Sequence, residues 1–119
     1  MIDDEVTIHG DGSQIRAFCH VSDIANAFSY ALEKGDNQIF NIGNNLEPIS
    51  IKELANRIIS LSKSKSQIKF ISFDDSSRNR KEIINRAPDI SKAMEILEYK
   101  PKVTLDDGLT RVIKKHSKC

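Results

Sequence analysis

Short β-prone runs alternate along this chain with amphipathic segments of helical period. The run at residues 6–8 ends at a Gly-Asp-Gly turn, where Gly10 and Gly12 can adopt positive φ. After Ser22, apolar residues recur with the spacing of one helix face as far as Gly35, which stands where a helix C-cap is expected. Helices and strands that follow one another in this way are typical of an α/β fold.

The rest of the chain continues the alternation. Residues 38–41 predict a brief strand, and a capping box that begins at Ser50 predicts a second helix. Residues 67–73 predict a strand with apolar side chains on much of both faces. Asp89 is placed to cap a short third helix, and Thr104 to open the last one. We therefore expect one small α/β domain with short strands and about four helices, which spans the whole chain.

Size, charge and cysteine usage exclude several classes of protein. At 119 residues with 39% hydrophobic side chains, the chain can build one modest core. Its 18 basic and 17 acidic residues leave a net charge of +1, so we expect neither nucleic acid nor a membrane surface as a partner. The two cysteines and three histidines have no disulfide or metal-ligand spacing. This spacing predicts no bound metal. Because there is no export signal and no apolar stretch near ~18 residues, we expect a cytoplasmic protein.

Three segments contain Gly, Asn and Arg residues that a hydrophobic core does not require. They are GDGSQIRAFCHVSD at 10–23, FNIGN at 40–44 and NRAPDISKA at 85–93. With ISIKELA and the ending YKPKVTLDDGL, they resemble the carboxy-terminal region of the NAD-dependent epimerase/dehydratase family, the extended short-chain dehydrogenases that act on nucleotide sugars. The resemblance covers nearly the whole chain, in the family's order. It implies a nucleotide-sugar-binding domain over residues 1–119, without the amino-terminal Rossmann domain.

The resemblance implies that two arginines contact the diphosphate of the nucleotide sugar. Arg16 follows the Gly-Asp-Gly turn, and Arg86 opens the R-x-P-D motif. The chemistry is suitable, because a guanidinium is always charged and offers phosphate a planar fork of donors. Arg78 and Arg80, in the preceding loop, could add further phosphate contacts. The alternative for each of these arginines is a solvated side chain in a turn or loop.

Asn41, Gly43 and Asp89 are the other residues that the resemblance places beside the substrate nucleotide. In the N-x-G segment, glycine lets the backbone approach and asparagine can bind a polar edge, and turn chemistry alone is the alternative. Asp89 has a structural or ribose-side role in the family, and capping of the following helix explains it without a ligand. Glu98 stands where the family usually has glycine, and this departure weakens the predicted helix C-cap.

The chain lacks the residues that would make it an enzyme by itself. The family binds NAD at a Gly-rich turn that opens a helix, and it uses a Tyr-x-x-x-Lys pair in catalysis. Here the Gly-Asp-Gly turn opens no helix, and Tyr30 and Lys34 have the right spacing only by accident. We therefore expect no catalytic residue and no NAD bound by this chain alone, although the parent enzyme binds NAD. A Rossmann domain of about 150 residues would be absent from such a fragment.

Two functions from different classes remain open. The first is the binding part, for UDP- or dTDP-sugars, of an NAD-dependent epimerase, dehydratase or decarboxylase, not catalytic by itself. The second is a non-catalytic interaction module that pairs with itself as a homo-oligomer or with a Rossmann-bearing chain, because loss of a domain would expose apolar surface. The sequence leaves the base, the sugar and the reaction undetermined.

Overall fold

The structure is a computed structural model that describes residues 4–72 and 83–117. Within these residues it contains four helices and five short strands. The helices are α1 (Val21–Lys34), α2 (Ile51–Ser62), α3 (Ser91–Ile96) and α4 (Leu105–His116). The strands are β1 (Val6–His9), β2 (Ile15–Arg16), β3 (Ile49–Ser50), β4 (Ile68–Ile71) and β5 (Asn85–Arg86). The prediction of a small α/β fold with about four helices is confirmed.

The chain divides into two compact units that each combine distant segments. The first unit comprises Met1–Arg16, Ile49–Arg86 and Leu109–Cys119, and the second comprises Ala17–Pro48 and Ala87–Gly108. No helix among the described residues is long and apolar enough to cross a membrane.

The first unit contains two small sheets. Strand β1 pairs with β4 in parallel, and a second sheet has the order β3-β2-β5, in which β2 is antiparallel to β3 and parallel to β5. The predicted turn is confirmed, since Gly10 and Gly12 both have φ of 77°. A Cβ at Gly12 would lie 2.8 Å from the Lys52 Cβ, so only glycine allows the turn to pass this close to the start of α2.

The start of α2 is well capped, as its sequence predicts. The Ser50 hydroxyl accepts a hydrogen bond from the Glu53 amide at 3.2 Å. The amides of Ile51 and Lys52 donate to the carbonyls of Gln14 and Gly12, each at 3.0 Å. Gly12 of the Gly-Asp-Gly turn and Gln14 just after it therefore supply acceptors to the first turn of α2, whose amides would otherwise need other partners.

The second unit has its own core and a side-chain hydrogen bond to the first amide of α3 as well as a side-chain cap on α1. The buried cluster consists of Ala27, Ile90, Ala93, Leu97 and Tyr99. The Nδ1 atom of His20 accepts from the Ser22 amide at the start of α1, and the carboxylate of Asp89 accepts from the Ser91 amide at 3.0 Å. The predicted N-cap role of Asp89 is wrong, because α3 begins at Ser91, its N-cap residue is Ile90 and no side chain caps it. The Asp89 carboxylate instead accepts from both the amide and the hydroxyl of Ser91.

The predicted strand at residues 38–41 is wrong. These residues are in no strand, and the backbone amides of residues 39–42 donate no hydrogen bond to any part of the chain that the structure describes. β-Prone side chains favour an extended backbone, but a strand also needs a partner for its backbone groups. The sequence pattern showed that the side chains favour an extended backbone, but it did not show whether a partner strand was present.

Candidate anion-binding site

Arg16 and Arg86 occupy paired positions in neighbouring strands. They are register partners in the parallel pair of β2 and β5, together with the pair formed by Ile15 and Asn85. Neighbouring strands lie about 4.8 Å apart, and side chains at paired positions extend from the same face of the sheet. The structure therefore brings the two predicted phosphate-binding arginines side by side, although 69 positions lie between them in the sequence.

The two guanidinium groups differ in their surroundings. Arg16 is half-buried on the central strand, with the buried Ile49 as its register partner on the other side. Its Nη1 donates to the Ile15 carbonyl at 2.8 Å, which restricts the side chain. Arg86 is exposed, and the structure gives its guanidinium no hydrogen bond or ion pair to any described residue. One partly fixed and one accessible guanidinium thus lie next to each other on one face.

This juxtaposition favours an anion. An anion that contacts both guanidinium groups can accept charge-assisted hydrogen bonds from each of them. The nearest helix start does not supply this role, because the amides of Ile51, Lys52 and Glu53 at the beginning of α2 already have acceptors. Positive charge at this site therefore comes from the arginine side chains and not from a helix amino terminus.

The other three predicted contacts, Asn41, Gly43 and Asp89, belong to the second unit. Gly43 is buried, and a Cβ there would lie 2.7 Å from the Pro88 Cγ, so the FNIGN and NRAPD segments are in contact through these two residues. Asn41 is exposed. Asp89 is exposed too, and the hydroxyl and amide of Ser91 lower the pKa of its carboxyl. Packing accounts for Gly43 and the hydrogen bonds to Ser91 account for Asp89, so their predicted contacts with a nucleotide stay predictions.

Arg78 and Arg80, the remaining predicted phosphate contacts, lie outside the described residues. Among the residues that are described, no group of three or more His, Cys, Asp and Glu side chains could hold a metal ion.

Sequence reasoning missed two buried polar side chains that organise the second unit. Asp23 is 1% exposed, and its carboxylate accepts from the amides of Lys102 and Val103 at 3.0 to 3.1 Å. Tyr99 is fully buried, and its hydroxyl donates to the Gly43 carbonyl at 2.9 Å. The signal for Asp23 was its place in the first turn of α1, where carboxylates are favoured but seldom buried.

The phenol of Tyr99 and the thiol of Cys19 are neighbours, with 3.7 Å between the hydroxyl oxygen and Sγ. Burial is the main cause of a raised pKa for both groups. Both therefore remain protonated at neutral pH, and a protonated thiol is a poor nucleophile. This pair supplies packing and hydrogen bonding to the second unit.

Known proteins with similar sequences modify UDP-sugars. The chain is 38% identical over 112 residues to a UDP-N-acetyl-alpha-D-glucosaminuronate decarboxylase from Bacillus cytotoxicus, which covers 92% of this chain and 35% of the relative. It is 37% identical over 115 residues to UDP-glucuronic acid decarboxylase 1 from Danio rerio, at 95% and 26% coverage. The chain thus spans about a third or less of the length of these relatives.

A solved structure shows the same fold. The UDP-glucuronic acid 4-epimerase from Bacillus cereus, in complex with UDP-glucuronic acid and NAD, superposes with a TM-score of 0.79 at 31% identity, over 96% of this chain and 36% of the epimerase. In addition, the family model described as GDP-mannose 4,6 dehydratase matches residues 2–112. The chain therefore belongs to this family of NAD-dependent nucleotide-sugar epimerases and dehydratases.

Proposed function

We propose that this chain is the carboxy-terminal, nucleotide-sugar-binding part of an NAD-dependent epimerase, dehydratase or decarboxylase, and that Arg16 and Arg86 bind the diphosphate of a UDP- or dTDP-sugar. The observation that carries the proposal is the register pairing of these two arginines in β2 and β5. The names of the relatives support UDP as the nucleotide, since the decarboxylases and the epimerase all act on UDP-sugars.

The chemistry of the pair suits a diphosphate. Two adjacent phosphates present several acceptor oxygens, and two guanidinium forks on one sheet face can each engage one of them. A hydrogen bond to a charged group contributes about 1.5–3 kcal/mol, which corresponds to roughly a 10- to 150-fold change in affinity for each arginine. Half-buried Arg16 is expected to contribute more than exposed Arg86, because water screens exposed charges more strongly.

The residues of the second unit contribute to this proposal as predictions. Asn41 offers an exposed amide that can donate to and accept from a polar edge of the nucleotide. We assign backbone contacts to Gly43 and a ribose-side contact to Asp89. Each of these assignments rests on the family resemblance. Substitution of the residue, followed by measurement of UDP binding, tests it.

We further propose that this chain alone binds no NAD and catalyses no reaction. A pyrophosphate needs free amides at a helix start. The amides of Ser22, Asp23 and Ile24 at the start of α1 donate to His20, and those at the start of α2 donate to the turn and to Ser50. Neither helix start is therefore suited to the cofactor. The NAD seen with the epimerase would be held by parts of a longer protein.

Isothermal titration of the 119-residue chain with UDP tests the proposal. We expect weak but measurable binding, which Arg16→Ala and Arg86→Ala each reduce by about tenfold or more. Arg57→Ala is the matched control, since it removes the same charge from α2, where Arg57 pairs with Glu53 at 3.2 Å. The control should bind UDP as the unmodified chain does. Equal affinity of the Arg16→Ala variant and the unmodified chain would exclude the proposed role.

A specific observation favours a second function, that of a non-catalytic interaction module. Val21, Phe28 and Leu32 lie on one face of α1 and are 71%, 69% and 89% exposed. An apolar groove of about 320 Å³ adjoins this helix within the second unit. Such a face is typical of an interaction surface.

Sedimentation velocity at micromolar concentration separates the two functions. Self-association that Leu32→Glu abolishes would support the interaction module, whereas a monomer would argue against pairing with itself. Protection of the chain by UDP against heat would support the nucleotide-binding function.

A further inference from the structure

The N-x-G segment of the second unit is held from two sides at Gly43. The buried hydroxyl of Tyr99 donates to the Gly43 carbonyl at 2.9 Å. On another side the Pro88 ring approaches so closely that a Cβ on Gly43 would lie 2.7 Å from its Cγ. Two rigid rings thus fix the position of one glycine.

These two contacts matter because the segment has little backbone support. The amides of residues 39–42 donate no hydrogen bond to the described part of the chain, and no described strand pairs with them. The neighbouring contacts are made by side chains. Lys92 Nζ donates to the Ile39 carbonyl at 3.0 Å, and Asn44 donates to the Val103 carbonyl at 3.4 Å. The path of the segment is therefore set by side chains, of which only Tyr99 is fully buried.

We propose that Tyr99 and Pro88 are positioning residues for Asn41. They hold it in its binding position through the hydrogen bond and the packing contact that they make with Gly43. This inference rests on the proposed function, in which Asn41 contacts the nucleotide. Asn41 is two residues before Gly43 and exposed, so a change in the Gly43 carbonyl is transmitted to it through only two peptide units. Neither Tyr99 nor Pro88 touches the nucleotide in this arrangement.

The protonation state of Tyr99 fits a permanent donor. Burial, followed by the neighbouring Cys19 thiol, raises the pKa of its hydroxyl above the ordinary value of 10.0. The hydroxyl therefore keeps its proton throughout the neutral range. Loss of the hydroxyl alone leaves the Gly43 carbonyl without its buried donor, while a phenylalanine ring preserves the packing.

A double-mutant cycle with UDP binding as the readout tests the proposal. The variants are Tyr99→Phe, Asn41→Ala and their combination, measured by isothermal titration below the midpoint of thermal unfolding of each variant. We expect each single variant to weaken UDP binding about 2- to 12-fold, which is the range for one neutral hydrogen bond. The double variant should bind no more weakly than the weaker single variant, since both remove the same contact.

Two further variants make the outcome decisive. Tyr30→Phe removes the hydroxyl of the other tyrosine, which packs beside the same core, and it should leave UDP affinity unchanged. Pro88→Ala removes the second contact with Gly43 and keeps the Tyr99 hydroxyl; it should weaken UDP binding and show the same coupling to Asn41→Ala. If Tyr99→Phe does not fold, the cycle with Pro88→Ala decides.

The cycle also distinguishes this inference from the proposed function. Arg16-dependent UDP binding combined with multiplicative effects of Tyr99→Phe and Asn41→Ala would overturn the positioning role and leave the function standing. Unchanged UDP affinity of a folded Tyr99→Phe variant would also overturn the positioning role and leave the proposed function standing. Absence of any UDP binding by the unmodified chain would overturn both.

Discussion

Replacement of Asp23 by alanine should destabilise the second unit more than any exposed substitution. Its carboxylate is 1% exposed and accepts three hydrogen bonds, two from the Lys102 amide at 3.1 Å and one from the Val103 amide at 3.0 Å. These bonds tie the first turn of α1 to the segment that leads into α4. Asp23→Ala removes them all and leaves two backbone donors without their acceptor.

The magnitude follows from the number of donors. A hydrogen bond to a charged acceptor contributes about 1.5–3 kcal/mol, so two amide donors give about 3–6 kcal/mol as an upper range. Lys102 and Val103 are not buried residues, and water can replace part of the lost interaction, so we expect about 3 kcal/mol. Domains of this size have about 5–15 kcal/mol of stability. The midpoint of thermal unfolding should fall by roughly 10–20 °C.

Urea unfolding followed by circular dichroism measures this free energy. Asp23→Asn is the informative intermediate, because the amide keeps one carbonyl acceptor and loses the charge, and its effect should be smaller. Asp36→Ala, an exposed aspartate just beyond α1, should change the free energy of unfolding by less than about 0.5 kcal/mol. An Asp23→Ala variant as stable as the Asp36→Ala control would refute the reasoning.

Three further predictions concern the same unit. Gly43→Ala should lower the free energy of unfolding, measured in urea, by about 1–3 kcal/mol, because the new Cβ would lie 2.7 Å from the Pro88 Cγ. An unchanged free energy of unfolding would show that the segment can move away from Pro88 without cost. Glu98→Gly should raise the thermal midpoint, because Glu98 has φ of 55° and its ion pair with Lys34 lies in solvent; a lower midpoint would show that the pair matters more than the backbone. The free energy of unfolding should fall as pH rises above about 10, since the folded pKa of Tyr99 is raised above its ordinary value of 10.0 and its stabilisation is complete only below that value. Tyr99→Phe should flatten this alkaline decline, as measured by urea unfolding between pH 8 and 11, and an equally steep decline would contradict the assignment.

The parts of the fold that sequence predicted well are those determined by neighbouring residues. Ser50 and Glu53 are three positions apart, and the Ser50 half of the predicted capping box forms, whereas the Glu53 carboxylate pairs with Arg57. The positive φ of Gly10 and Gly12 is also a local property. The strand expected at 38–41 failed because its formation depends on a partner strand and not on its own side chains. The two-residue strands β2, β3 and β5 are too short to show a period at all.

The missed residues share a different property, namely distance along the chain. Asp23 meets its donors 79 and 80 positions away, and Tyr99 meets Gly43 at a separation of 56 positions. The periodicity and capping patterns of a sequence contain no information on such distant pairs. The burial of Asp23 is particularly hard to foresee, because an aspartate in the first turn of a helix is usually exposed.

Among the residues that the structure describes, the predicted contacts differ in whether packing alone explains them. Gly43 is explained by Pro88, and Asp89 by its bond to Ser91, so neither needs a ligand. The pairing of Arg16 with Arg86 is different, because it places two cationic side chains next to each other in neighbouring strands. An anion that contacted both guanidinium groups would be attracted by each of them. These two paired positions are also the ones at which the family resemblance places a diphosphate, so the structure and the resemblance converge on the same pair of residues.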